Sequence, residues 1–241
     1  MEFLSGRDRV LSSLHESLKE RGAYFGSLSN GWERPQFFSP HKTKDDTLSY
    51  NIHKCAWLEH ARTECQAARQ GVAMFDMSSF GKLRVSGESA TRVLEFCTSS
   101  MISTMNTGDV VYTQCLNRRG GVECDVTIMK ESEDSYYVVT PSLTVNRDRD
   151  HIRRVASTIM NEDALCIEDI TRDYSVLALA GPQVKSLFEE FDFPFTTVRR
   201  EREREREENK TTTTYDNSPQ HKQYRREIYI SRTISWLEHF V

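Results

Sequence analysis

The 241-residue sequence has no C-x-x-C pair, no long apolar run, no glycine-rich phosphate loop and no excess of basic residues. A membrane-spanning helix needs about 20 consecutive apolar residues, so no membrane partner is expected. Structural zinc draws on closely spaced ligand pairs. Here the six cysteines (Cys55, Cys65, Cys97, Cys115, Cys124, Cys166) are scattered, and the seven histidines include no close pair. Neither a metal site nor a disulfide framework is expected, and the cysteines read as reduced thiols. Gly22, Gly26 and Gly31 are spaced wrongly for G-x-G-x-x-G, which excludes that phosphate-binding turn. Residues 1–198 hold 22 Lys and Arg against 28 Asp and Glu, a net of -6 within the overall -4, so there is no electrostatic footprint for a nucleic-acid partner. The first 20 residues include Glu2, Asp8, Glu16 and Glu20, unlike an acid-poor transit peptide. The chain reads as a soluble intracellular piece of a larger protein.

What is present is a mixed α and β pattern. Val10, Leu11, Leu14 and Leu18 recur at helical spacing and Arg21-Gly22 supplies a stop, which predicts a helix over 10–20. Residues 23–50 mix aromatics with Gly and Pro without a period and read as a loop-rich arm needing a partner surface. A helix over 57–70 ends at Gly71; Val72–Phe75 is a short apolar run, and Gly81–Val85 alternates as a half-buried strand does. Ser89–Thr98 is expected to be helical, with Ser86 or Glu88 near its start as a cap. Strands at Val110–Leu116 and Val126–Met129 are joined through Asn117–Gly121, whose glycines permit positive φ, and Tyr136–Thr140 makes a third strand. A helix over 148–160, a buried strand over 175–180 and a helix over 182–191 with Pro182 at its first position complete the pattern. Strands and helices mix without a strict β-α-β rhythm, so the fold class is α+β. After Val198 the chain alternates Arg and Glu and then runs Thr211–Thr214. The expectation for 199–241 is a low-complexity, disordered tail outside the core.

One polar group stands out on the expected hairpin: Tyr112, Asn117 and Asp125. Aspartate is depleted in strands, so a carboxylate at the start of an apolar β segment either faces solvent or serves a site. The residues alone leave both readings open.

Three segments in order, Phe75-Asp76-Met77-Ser78-Ser79-Phe80-Gly81-Lys82, Tyr112–Asn117 and Gly120–Thr127, resemble the N-terminal part of the folate-binding domain of aminomethyltransferase, the glycine-cleavage T-protein. Upstream, Gly31-Trp32-Glu33-Arg34-Pro35 resembles the segment preceding that domain in dimethylglycine dehydrogenase, sarcosine dehydrogenase and the regulatory subunit of pyruvate dehydrogenase phosphatase. The resemblance covers residues 20–198. It implies that 1–49 is the remnant of a flavin-oxidoreductase domain with its connecting arm, and that 50–198 is an incomplete T-protein-like folate-binding domain.

By the same resemblance, a flavin domain oxidises an N-methyl amine and the folate domain captures the one-carbon unit on tetrahydrofolate. Asp125 matches the carboxylate beside the reacting folate nitrogens and is the implied catalytic residue. Tyr112 and Phe80 match positions lining the same folate pocket. An aspartate there can accept a hydrogen bond from a folate N–H and stabilise a cationic iminium. The chain departs from the pattern where His-Met is usual, carrying Ser79-Phe80, and where many aminomethyltransferases place Asn, carrying Thr140. FAD would belong only to a flavin domain outside these residues. The alternative is a non-catalytic regulatory protein whose partner is the phosphatase catalytic subunit. Either relationship implies the mitochondrial matrix, and the chain alone is expected to be inactive.

Overall fold

A computed structural model of the chain describes residues 4–27, 30–39, 57–159 and 165–190. The expected tail over 199–241 lies outside them. The described residues fall into two units, one formed by residues up to Ala61 together with Asp76–Leu177, the other by Arg62–Phe75 with the residues from Ala178 onward.

The centre of the larger unit is a five-stranded, wholly antiparallel sheet. Its strands are β4 (Gly81–Ser86), β5 (Val110–Leu116), β6 (Val122–Ser132), β7 (Ser135–Thr140) and β8 (Cys166–Asp169), in the spatial order β5-β6-β7-β4-β8. Period-2 alternation sends Leu83, Val85, Val126, Ile128, Tyr136 and Val138 to one face, where helices α3 (Ala90–Cys97) and α4 (Val145–Ile159) cover them with Val93, Leu94, Ile152 and Ala156. The expected strands at Val110–Leu116 and Tyr136–Thr140 are present. β6 runs from Val122, well before the expected Val126, and β8 was not foreseen. Ser89 stands at the N-cap of α3 with no side-chain cap bond, so neither Ser86 nor Glu88 fills the capping role.

Asp148, 1% exposed, lies in the first turn of α4 beneath the sheet. Its carboxylate accepts hydrogen bonds from the Thr140 and Thr144 hydroxyls and from the Arg147 guanidinium. These bonds, together with the favourable placement of an anion at a helix N-terminus, explain how a carboxylate is tolerated there. Nearby, burial pushes the Cys97 thiol up to about 12, and the Cys115 contact with burial raises the Cys124 thiol. These cysteines are inert core residues.

The N-terminal arm departs from expectation. The helix is only α1 (His15–Glu20), and Val10 instead forms a bridge to Trp32. Where the structure describes the expected loop-rich arm, it is not a loop: β1 (Ala23–Ser27) and β2 (Glu33–Phe38) pair antiparallel, with a register shift between Tyr24 and Phe25, while 40–50 lie outside the described residues. Glu33 anchors this hairpin. Its side chain is fully buried and accepts from Arg7 Nε and Nη2, both at 2.8 Å, and from the Asp8 amide at 3.0 Å. Burial acts to raise the Glu33 carboxyl, but the Arg7 and Asp8 hydrogen bonds, with the charges of Arg7 and His15, outweigh it and hold the group below its ordinary value.

In the smaller unit, α2 (Leu58–Gln70) contributes its residues from Arg62, β3 (Ala73–Asp76) pairs with β9 (Leu177–Ala180), and α5 (Val184–Glu190) follows. β9 is partly exposed rather than buried, and Pro182 precedes α5 in a turn. Gly181, at φ +139, brings its α-carbon so close to Gly71 that an added Cβ would lie 2.1 Å from the Gly71 carbonyl oxygen. Only glycine fits there.

Candidate functional site

The β5-β6 hairpin is set by Asn117. Its amide oxygen accepts from the Arg119 and Gly121 N–H groups, its Nδ2 donates to Glu123, and Gly120 takes φ +76. Asn117 is therefore spent on the turn. The turn fixes the register, pairing Tyr112 with Thr127 and Gln114 with Asp125.

That register places Tyr112, Gln114, Asp125 and Thr127 on the face of the sheet away from α3 and α4. Tyr112 and Asp125 are diagonal neighbours, a relation within reach of long side chains. Both are exposed, Tyr112 at 63%. Desolvation first, then the charge and hydrogen bonding of Asp125, hold the Tyr112 phenol above its ordinary value, while Gln114 acts the other way. No Lys, Arg or His among the described residues forms an ion pair with Asp125. The pair thus offers a carboxylate and a phenol, both accessible, to a ligand with N–H donors or positive charge.

The same face continues across the sheet. Tyr112 pairs with Thr127, Thr127 with Val139, and Val139 with Lys82. Phe80 lies just before Lys82, half-buried, three strands from β5 or roughly 14 Å at ordinary strand spacing. The structure therefore brings Tyr112 and Asp125 together directly, while the cross-strand row ends at Lys82 and Phe80 lies in the turn just before β4. Thr140 alternates onto the opposite face, where its hydroxyl is bonded to Asp148.

Lys82 is a residue that alternation did not single out. Its side chain is fully buried, and Nζ donates to the carbonyls of Ser78 (2.8 Å) and Phe80 (3.1 Å). Burial lowers its pKa from 10.5 to about 8, against the opposing charges of Asp76 and Asp169. The ammonium closes the turn that carries Phe80. The sequence signal was a carboxylate, Asp76, six residues ahead of a lysine, with the Asp76 Oδ1 accepting from the Ser78 N–H inside the turn.

Among the described residues, no group of three or more His, Cys, Asp or Glu is placed to hold a metal ion, and no helix is long and apolar enough to cross a membrane. The sequence profile of the GCVT N-terminal domain matches residues 14–202. The chain belongs to this family. Within the GCVT N-terminal domain family it is 33% identical over 187 residues to 4-methylaminobutanoate oxidase (formaldehyde-forming) of Paenarthrobacter nicotinovorans, covering 78% of the chain and 22% of that protein. It is 28% identical over 201 residues to the mitochondrial pyruvate dehydrogenase phosphatase regulatory subunit of Mus musculus, covering 80% and 22%. Mitochondrial sarcosine dehydrogenase of the same organism is 27% identical over 241 aligned positions, covering 81% and 26%. The chain spans about a quarter or less of these relatives. The crystal structure of the glycine cleavage system aminomethyltransferase T from Bartonella henselae superposes with a TM-score of 0.58 at 19% identity, over 76% of this chain and 44% of that one. That likeness establishes the T-protein fold of this GCVT N-terminal domain.

Proposed function

We propose that this GCVT N-terminal domain is the tetrahydrofolate-binding part of a flavin-dependent demethylating dehydrogenase of the dimethylglycine and sarcosine dehydrogenase kind, acting in the mitochondrial matrix. The observation that carries the reading is the Tyr112–Asp125 pair: an accessible carboxylate with no cationic partner among the described residues, beside a phenol, on the face of the sheet not covered by α3 and α4. These residues fit a reduced pterin, which presents ring N–H donors and a planar pyrimidinone face. Asp125 accepts from the N–H groups and supplies negative charge where positive charge develops; Tyr112 walls the ring, and Phe80 bounds the site from the turn before β4. Tetrahydrofolate supplies the nitrogens that accept the one-carbon unit, and FAD belongs to a separate oxidising domain.

A second reading rests on the 28% identity to the phosphatase regulatory subunit. In it the same fold serves contact with the phosphatase catalytic subunit and transfers no carbon.

Calorimetric titration with tetrahydrofolate separates the two. We expect saturable binding by the full chain, weakened roughly 30-fold in Asp125→Asn, corresponding to about 2 kcal/mol for the loss of a charge-assisted hydrogen bond. The unfolding midpoint should be unchanged, because Asp125 is exposed. Equal affinity in the variant and the parent would sink the folate reading, and saturable binding of the phosphatase catalytic subunit with none of folate would favour the second.

A further inference from the structure

The larger unit contains a cavity of about 160 Å³ between the N-terminal arm and the loop that follows β8. Its walls include two arginines, Arg9 and Arg172, and none of the residues lining it is Asp or Glu. Arg9 donates Nε and Nη2 to the Ser5 carbonyl, a neutral acceptor. Arg172 has no hydrogen bond or ion pair among the described residues. Two arginines, both exposed, and no Asp or Glu therefore line one small space.

The remaining wall is rich in hydroxyls. Ser13 and Ser175 share one hydrogen between their oxygens at 2.5 Å, which leaves the second hydroxyl hydrogen of that pair to donate elsewhere. Thr171 Oγ1 accepts from the Lys82 amide at 3.1 Å, so its own hydrogen is likewise available. Asp76, bonded to Ser12 of this wall, is already engaged: Oδ2 accepts from Ser12 at 2.5 Å, Oδ1 accepts from the Ser78 amide, and its charge acts on the Lys82 ammonium.

We infer that this cavity binds a small oxyanion, the phosphate or carboxylate group of a metabolite. Guanidinium forks match planar and tetrahedral oxyanions with paired donors, and hydroxyl donors complete the shell. The volume holds a phosphate or a short carboxylate with room for part of its carrier, but not a nucleotide. The site is distinct from the Tyr112–Asp125 pair. β8 and β5 are the two edges of the sheet, four strand spacings or about 19 Å apart. A ligand here ties the arm at Arg9–Ser13 to the 171–175 loop.

Isothermal titration of the full chain with inorganic phosphate and, separately, with glutarate tests this, each at constant ionic strength against sodium chloride. We expect saturable binding of at least one probe with a rise in unfolding temperature. Binding of phosphate alone identifies a phosphate source, and binding of glutarate alone a carboxylate source. Arg172→Gln, at an exposed position that does not compromise folding, should weaken binding about tenfold, and Arg9→Gln with Arg172→Gln should remove it. No binding of either probe beyond the chloride control, or unchanged affinity in the double variant, overturns the site.

Discussion

Replacing Lys82 by methionine should remove a pH dependence of stability that is expected of the parent protein above neutrality. The buried ammonium titrates near pH 8 in the folded chain and near 10.5 when solvated. The folded-state value is depressed, so the unfolded chain binds the proton more tightly. The desolvation cost is complete below pH 8 and is relieved as pH rises through the window to 10.5. Between pH 7 and pH 10 the parent should gain roughly 2.5 kcal/mol relative to Lys82→Met. Urea unfolding of both proteins at the two pH values measures this directly, and effects common to both chains cancel in the difference. Parallel pH slopes would mean that the amine is hydrated and not enclosed by the Ser78–Phe80 turn.

The second large effect lies in the arm. Glu33→Ala should destabilise the protein by about 3 kcal/mol, because it removes the carboxylate that receives three hydrogen bonds and leaves the Arg7 guanidinium and Asp8 amide without it. Glu33→Gln keeps the shape and one good acceptor, and should cost about half as much. The depressed carboxyl also gives a signature in acid. The Glu33 contribution is present above the unfolded value of about 4.5 and disappears as pH falls through the lower folded value. Denaturant unfolding at pH 7 and pH 3 should therefore show a gap between parent and Glu33→Ala that is largest at neutrality and narrower in acid. A gap of under half a kcal/mol at pH 7 would show that the hairpin does not depend on this ion pair.

These residues also mark the boundary of what the sequence makes legible. The β5-β6-β7 meander could be read because alternation, a polar turn opened by Asn117 and two glycines act within about 30 residues. The Tyr112–Asp125 face follows from that register. Lys82 was hidden by the same rule that found its strand: alternation assigns it to an outer face, yet β4 has neighbours on both sides and is covered at Lys82 on both faces. The arm misled for the opposite reason. β2 reads Glu-Arg-Pro-Gln-Phe-Phe, with a proline and charges and no alternation, and its pairing depends on a partner strand and on Arg7, 26 residues from Glu33. β8, Cys-Ile-Glu-Asp, is four residues long and mostly exposed, as an edge strand is. The helical spacing of Val10 through Leu18 was real, but the bridge from Val10 to Trp32 and the hydrogen bond from the Glu33 amide to the Val10 carbonyl extend the chain there instead.

The order of strands in the sheet has a further consequence for how the chain assembles. β5, β6 and β7 are joined by short turns, so their ladders close small loops. β4 must find Thr140 from Gly81 and Asp169 from Leu83, across loops of roughly 60 and 90 residues. Chain entropy favours early formation of the meander and late docking of β4 and β8. The segment that carries Tyr112 and Asp125 is then the nucleus on which the rest condenses, and substitutions in the β5-β6 turn should slow folding while those in β8 mainly speed unfolding.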